Sequence, residues 1–505
     1  METYGSDKGR RMRRLLILCV IVLGTAAGAA HGRSERDIKN AVVHIFTVYN
    51  EYDFYRPWQM KGKLSKTGSG CIIDGNRVLT NAHVVADRTF IQVRRAGQAD
   101  KFVARVQYVG HDCDLALLTV ADERFFEGAK PISIGKLPHI RQKVAVYGFP
   151  RGGSKIAITE GVVSRVENLY YSHSQANLLC CQIDAPINSG SSGGPVLADD
   201  KLVGVAFQSM SGENIGYMVP APVVEHFLDD VDDGRFDGFP SLALSYQTME
   251  NPDLRAAHGV AEGQSGVLIN RAYPLSPRKG ILDSGDVLLA VEGFDVANDA
   301  TVEFRDGERT LFEYPAQAKQ IGDSATLRVL RKGDITEVRV KLDVKSTEWE
   351  LVPRQLYDTP PRYLIVGGFV FVPLTRNFLE TWGAGWRTKA PRNLSQYYYS
   401  EPDENRREVV VIGQVLADEV NVGYEDFLYS VVSKVNGREV ADLEELKAAI
   451  EENQSEYHEI IDEDGYRVVV SREEALDRKH KILKRYRIAF DRSPGLGRDE
   501  EVGVQ

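Results

Sequence analysis

The sequence predicts a mainly β protein: a strand-rich amino-terminal half followed by two small α+β modules. Three observations carry this. From about residue 41 to 220, β-branched runs such as "AVVHIFTVY", "FIQVRRA", "FVARVQYVG" and "QKVAVYGFP" follow one another, with Gly, Asn or Asp turns between them. Long helical periods are missing from that stretch, which favours an all-β sandwich or barrel pair over a βαβ fold. Beyond residue 240 an apolar strand, a turn and a second short strand occur twice, as "GDVLLAVEGFDVAND" and "YSVVSKVNGREVADL".

The chain has 505 residues, 43% of them hydrophobic and 27% charged. At about 100–200 residues per domain it holds roughly three domains, with ample chain for real cores. A net charge of −10 argues against a general nucleic-acid partner, because binding phosphates needs a cationic surface. Residues 1–30 are cationic ("KGRRMRRLL"), then apolar ("LLILCVIVLG"), then small ("TAAGAAHG"). That order is a secretory signal peptide. It implies export, to the periplasm if the source is bacterial, with a membrane anchor by residues 15–30 as the alternative. The apolar run is shorter than the about 20 residues a comfortable span needs.

The strand-like text ends in "NIGYMVP". In "VVEHFLDDVDDGRFDGFP" the first half reads as one short helix and the second as a linker. The domains so expected are a β-rich unit over 37–232 and two modules over 240–345 and 360–490. In the 360–490 module "LEELKAAIEE" is an amphipathic helix rich in helix formers. Residues 491–505 read as a disordered tail. Cys19 lies in the signal. Cys71, Cys113, Cys180 and Cys181 show neither a disulfide framework nor a metal pattern and read as small buried hydrophobes. No cofactor or metal is implied.

One short stretch, "NSGSSGGP" over 188–195, asks for a chemical reading. Its "GSSGG" fits G-x-S-x-G, but a nucleophile elbow needs a helix after the serine and its partners later in the chain. Here Pro195 and a strand follow at once. The order His83 in "LTNAHVV", Asp114 in "HDCDLALL" and Ser192 in "GSSGGP" is the chymotrypsin-type order. A serine hydroxyl is a weak nucleophile and needs an adjacent base, itself oriented by an acid. Asp112 is the rival to Asp114. The glycines leave the Gly190 and Ser192 amides free to converge on a developing oxyanion. Taken singly, each residue has an ordinary reading: a packed histidine, a turn aspartate, a loop.

The segments "TGSGCIIDGNRVLTNAHVV", "DLALL", "YGFP", "TEGVVS", "INSGSSGGPV" and "IGYMVP" resemble the protease domain of the Deg/HtrA serine proteases, and the later modules resemble that family's PDZ domains. "VPLTRNF" and "SKVNGREV" resemble the subgroup known from plant and fungal nuclear members, with a degenerate second PDZ. The resemblance implies a chymotrypsin-like double β-barrel followed by two PDZ-type modules. It implies an endopeptidase acting on unfolded or damaged protein, with His83 as base, Asp114 as its orienting acid and Ser192 as nucleophile. The family usually has Asn where Ser191 stands. Pro186 and Ile187 in "DAPIN" then line the primary pocket. With no carboxylate at its base, that pocket suits small or medium aliphatic side chains. Leu242, Ala243 and Leu244 in "SLAL" form the carboxylate loop of the first PDZ, where the family usually has Gly in place of Ala243. A trimer or a multiple of it is the expected assembly, through a patch at 45–58 carrying Phe46, Tyr49, Tyr52, Phe54, Tyr55 and Trp58. The loop "YNEYDFYRPWQMKGKLSKTG" is a candidate gate. The runner-up reading is a peptide-binding holdase whose protease domain rests or is inactive.

Overall fold

The computed structural model describes residues 33–209, 215–345 and 350–497. Residues 1–30, read above as a signal peptide, therefore lie outside the described residues, among which no helix is long and apolar enough to cross a membrane.

The expected pair of barrels is present. The first closes in the order β1-β2-β3-β6-β5-β4 from β1 (Val42–Tyr49), β2 (Leu64–Ile73), β3 (Arg77–Thr80), β4 (Arg88–Arg95), β5 (Phe102–Gly110) and β6 (Leu115–Val120). The second closes as β10-β11-β12-β9-β8-β7 from β7 (Lys143–Gly148), β8 (Ala157–Tyr170), β9 (Asn177–Ile183), β10 (Pro195–Ala198), β11 (Lys201–Ser209) and β12 (Gly216–Pro220). Closure removes the exposed edges that an open sheet would leave. The turn chemistry is legible in the backbone. Asp199 and Asp200, between β10 and β11, have φ of 49° and 61°, the left-handed pair of a type I′ hairpin turn. A single apolar core runs through both barrels, from Val42 and Ile45 to Val219 and Phe227. Cys71, Cys113, Cys180 and Cys181 are buried free thiols in it.

The predicted short helix spans Ala221–Asp230. The Asp230 carboxylate then accepts from the Asp237 and Gly238 amides and shapes the linker. The second module is a sheet ordered β13-β14-β15-β19-β20, built on β13 (Leu244–Thr248), β14 (Val267–Ala272), β15 (Val287–Val291), β19 (Ser324–Arg331) and β20 (Asp334–Lys341), with the short β16 (Phe294–Asp295) paired to β15. A hairpin of β17 (Thr301–Arg305) and β18 (Glu308–Leu311) rests on β8, where the Asn168 amide donates to Thr310 Oγ1 at 3.0 Å. The third module has a three-stranded sheet and a separate four-stranded one. The internal repeat is real at the level of one hairpin. Glu292-Gly293 follows β15 with φ of 51° and 82°, and Asn436-Gly437 follows the strand Val432–Val435 with φ of 52° and 79°. The helix "LEELKAAIE", Leu443–Glu451, is capped by Asp442, which accepts from the Glu445 amide at 2.8 Å.

Two expectations are corrected. The aromatic patch at 45–58 is largely consumed within the chain: Phe54 is buried in the third module's core, and Tyr52, Tyr55 and Trp58 pack against it. These rings lie on the long loop between β1 and β2, so that loop is docked on the third module. Residues 491–497, expected to belong to a disordered tail, are held against the third module. The Ser493 amide donates to Tyr363 O at 3.0 Å, and Leu496 is buried. Apolar Leu496 has a core to enter, which local composition does not reveal. Residues 498–505 lie outside the described residues.

Candidate active site

His83 sits on a single helical turn, Ala82–Val85, that begins just past β3. Asp114 stands at the head of β6 with a φ of 54° and no solvent exposure. Asn81 fixes it from behind by donating to its carbonyl at 2.8 Å. The carboxylate then takes two bonds from one residue: the His83 amide donates to Oδ1 at 2.8 Å, and His83 Nδ1 meets Oδ2 at 2.7 Å. Burial alone would raise the Asp114 pKa, but the nearby His83 and His173 and the two bonds from His83 outweigh it, so the carboxyl is held below its ordinary value. With an ionised acceptor at Nδ1, the ring carries its proton there and leaves Nε2 as the free base. Asp112, the rival, faces elsewhere: its carboxylate accepts from the Phe239 amide at 3.4 Å, and burial pushes it up.

Ser192 lies in the loop between β9 and β10, which is a tightly packed turn and no linker. A Cβ at Gly193 would stand 2.1 Å from Ser69 O, and one at Gly190, whose φ is 95°, would stand 2.5 Å from Phe149 O. Only glycine fits either position. The loop is stitched to the first barrel by Ser69. Its amide donates to Ser192 O, its hydroxyl donates to Gly190 O, and that same hydroxyl accepts from the Phe149 amide, each at 2.8 Å. The amides of Ser191, Gly193 and Gly194 donate to Asn188 O, Ala206 O and Ser191 O. Among the described residues, those of Gly190 and Ser192 have no such partner. Ser192 Oγ donates to Phe207 O at 3.4 Å, and no hydrogen bond joins it to His83.

Ile187 is buried, and a Cβ on Gly216 would lie 2.7 Å from its side chain. Pro186 is half-buried beside it, and its carbonyl accepts from Thr159 Oγ1 at 3.0 Å. In the second module Leu242, Ala243 and Leu244 are all buried. Ala243 takes a φ of 56°, the region that explains a glycine preference at this position. Its amide is already spent on Ser241 Oγ at 3.0 Å.

Sequence reasoning missed the neighbourhood of His83. The His173 ring centroid is 6.1 Å from that of His83, and His111 Nδ1 lies 3.0 Å from His173 Nε2. Burial pushes the His173 pKa down to about 3, so the ring is neutral. Tyr357, from the connector between the second and third modules, stacks on His173 at 4.0 Å. Nothing in a linear reading joins residue 173 to residue 357.

Comparisons with known proteins agree with this fold. A family model described as a trypsin-like peptidase domain matches residues 68–205, and one described as a PDZ domain matches residues 352–495. "Protease Do-like 4, mitochondrial" of Arabidopsis thaliana is 40% identical over 451 residues, covering 89% of this chain and 84% of its own. "Putative protease Do-like 3, mitochondrial" of the same organism is 40% identical over 415 residues, covering 82% and 72%. "Protease Do-like 2, chloroplastic" is 38% identical over 467 residues, covering 90% and 75%.

Proposed function

The chain belongs to the Deg/HtrA family of serine proteases, hydrolases of peptide bonds, and on that premise we propose that it is a working endopeptidase whose triad is His83, Asp114 and Ser192. The observation that carries the reading is the bidentate grip of Asp114 on His83, which leaves Nε2 as an acceptor. Ser192 Oγ turns from Phe207 O toward Nε2 and gives up its proton as it attacks the scissile carbonyl. The unpartnered Gly190 and Ser192 amides receive the oxyanion. His83 then protonates the leaving amine, and water releases the acyl group from Ser192 by the same steps in reverse order of roles. Pro186 and Ile187 form an apolar pocket for small or medium aliphatic side chains. Such a pocket discriminates weakly, about 1–3 kcal/mol per methylene, which suits substrates that are unfolded chains.

The second module is proposed to bind extended peptide at the edge strand β13. Because the Ala243 amide is engaged, capture of a chain terminus by this loop is weaker than in a glycine-bearing loop. Assembly into a homo-oligomer follows the family habit, but its surface is not the 52–58 aromatics. The relatives named above are described as mitochondrial or chloroplastic. That favours an organelle over the periplasm as the destination encoded by residues 1–30.

The test is digestion of unfolded casein by purified protein beside Ser192→Ala and Ser191→Ala. Ser192→Ala is expected to lose about 10⁴–10⁶ in rate and keep its fold, and Ser191→Ala to lose far less. A dead Ser191→Ala with an active Ser192→Ala overturns the assignment. A wild type without Ser192-dependent cleavage, yet able to bind unfolded chains, favours the holdase reading, which the absence of a Ser192–His83 hydrogen bond supports.

A further inference from the structure

The connector between the second and third modules runs across the catalytic histidine's surroundings. Tyr357 stacks on His173 at 4.0 Å and on His111 at 5.1 Å, and its hydroxyl donates to His173 O at 3.1 Å. Asp358 accepts from the Asp87 amide at 2.7 Å, faces His111 Nε2 at 3.1 Å and pairs with Arg88 at 2.5 Å. Arg354 donates to Gln175 O at 2.5 Å, in the same loop as His173. The third module holds this segment in place: Asn377 donates to Leu356 O at 2.9 Å and accepts from the Leu356 amide at 2.8 Å.

Resting on the triad reading, we propose that Tyr357 and His173 are positioning residues for the His83–Asp114 pair: the connector covers His173, so that the Asp114 carboxylate is engaged by His83 alone. The groups facing His173 are His83, Asp114, Lys66, His111 and Tyr357, with Asp358 behind His111. Among the described residues, Asp114 is the anion that acts on both imidazoles, and it favours positive charge on each. Uncovered, His173 regains its ordinary tendency to take a proton in the mildly acidic range. The resulting imidazolium competes for Asp114 and repels the charge that His83 must acquire when it deprotonates Ser192. The third module is thereby wired to the chemistry through a tyrosine that touches no reacting atom.

The distinguishing readout is the number of protons that switch activity off. The full-length protein is titrated with a fluorophosphonate, which reports activation of Ser192 without a substrate assumption, from pH 5 to 8.5. Wild type is expected to lose labelling on the acid side with a one-proton slope. Tyr357→Ala is expected to approach a two-proton slope: below the midpoints of both imidazoles each further pH unit costs about 100-fold, where a one-proton limb costs about ten-fold. Tyr357→Phe keeps the stacked ring and the wild-type slope. Tyr357→Ala/His173→Gln returns to one proton. Asn377→Ala, a milder release of the connector, steepens the limb in the same sense should Tyr357→Ala fail to fold. A Tyr357→Ala or Asn377→Ala limb of wild-type slope, or a loss by one factor at every pH, overturns the inference alone. Wild-type protein with no Ser192-dependent labelling overturns the triad reading and this inference with it.

Discussion

In Asp114→Asn the side chain keeps its shape while the oxygen facing His83 Nδ1 at 2.7 Å becomes an amide nitrogen. The remaining amide oxygen still accepts from the His83 backbone at the position of Oδ1, so the backbone bond selects that orientation. Two donors then confront each other unless the ring moves its proton to Nε2. Buried as the site is, donor against donor is expensive, and the tautomer flips. Nε2 then donates toward Ser192 and no longer accepts its proton. The expected loss is about 10⁴-fold in turnover, which at 1.36 kcal/mol per tenfold is about 5.4 kcal/mol of transition-state stabilisation. Asp112→Asn is the control, since that carboxylate faces Phe239 and the linker; its loss is expected to stay within about three-fold. Both are measured by casein digestion and fluorophosphonate labelling, with circular dichroism to show equal folding. Activity of Asp114→Asn within about ten-fold of wild type, or an equal fall in Asp112→Asn, refutes the reasoning.

Phe54→Ala removes a ring buried in the third module's core and is expected to cost about 3–5 kcal/mol there; chemical denaturation that leaves the third module's transition unmoved disproves the docking of this loop. His44, buried on β1, stacks at 4.4 Å on Phe149, which follows β7 of the second barrel, and burial lowers its pKa to about 4 from 6.5. The folded state resists a proton that the unfolded state accepts, so stability is full above about pH 6.5 and falls as pH drops toward 4, by about 2 kcal/mol between pH 7 and 5. His44→Phe is expected to flatten that fall, and thermal melts at the two pH values check it. Burial pushes the Cys71 thiol to about 12 and holds the Cys113, Cys180 and Cys181 thiols above their usual value. The native protein is therefore expected to leave these thiols unmodified by iodoacetamide at pH 8, as read by mass spectrometry.

The barrels were legible because their signals are local. Alternating β-branched runs and Asp-Asp or Gly-Asn turns state strand and reversal within a dozen residues, and "VVEHFL" and "LEELKAAIEE" announce their helices the same way. The candidate site was legible because His83, Asp114 and Ser192 each carry a local motif in a recognised order; Asp114 was preferred over Asp112 on the resemblance, and the fold brings Asp114 to His83 while Asp112 meets Phe239. What local pattern could not express was contact across long separations. Phe54 and Trp58 read as interface aromatics because their partner core lies some 300 residues away by chain numbering. His173 and Tyr357 carried no motif at all. Leu496 looked like tail because its neighbours are Gly, Pro and Arg.

The loop between β1 and β2 has a consequence for how the chain is made. Its aromatic residues leave the ribosome early, and the core that receives them leaves last. At roughly 5–20 residues per second, the first barrel spends tens of seconds with Phe54 and Trp58 lacking their resting place. A chain cut after residue 345 never supplies it, and such a fragment carries a permanent apolar patch beside its catalytic half. Isolated protease-domain fragments are thus poor proxies for the enzyme: they are built to stick, to one another or to the first chaperone they meet.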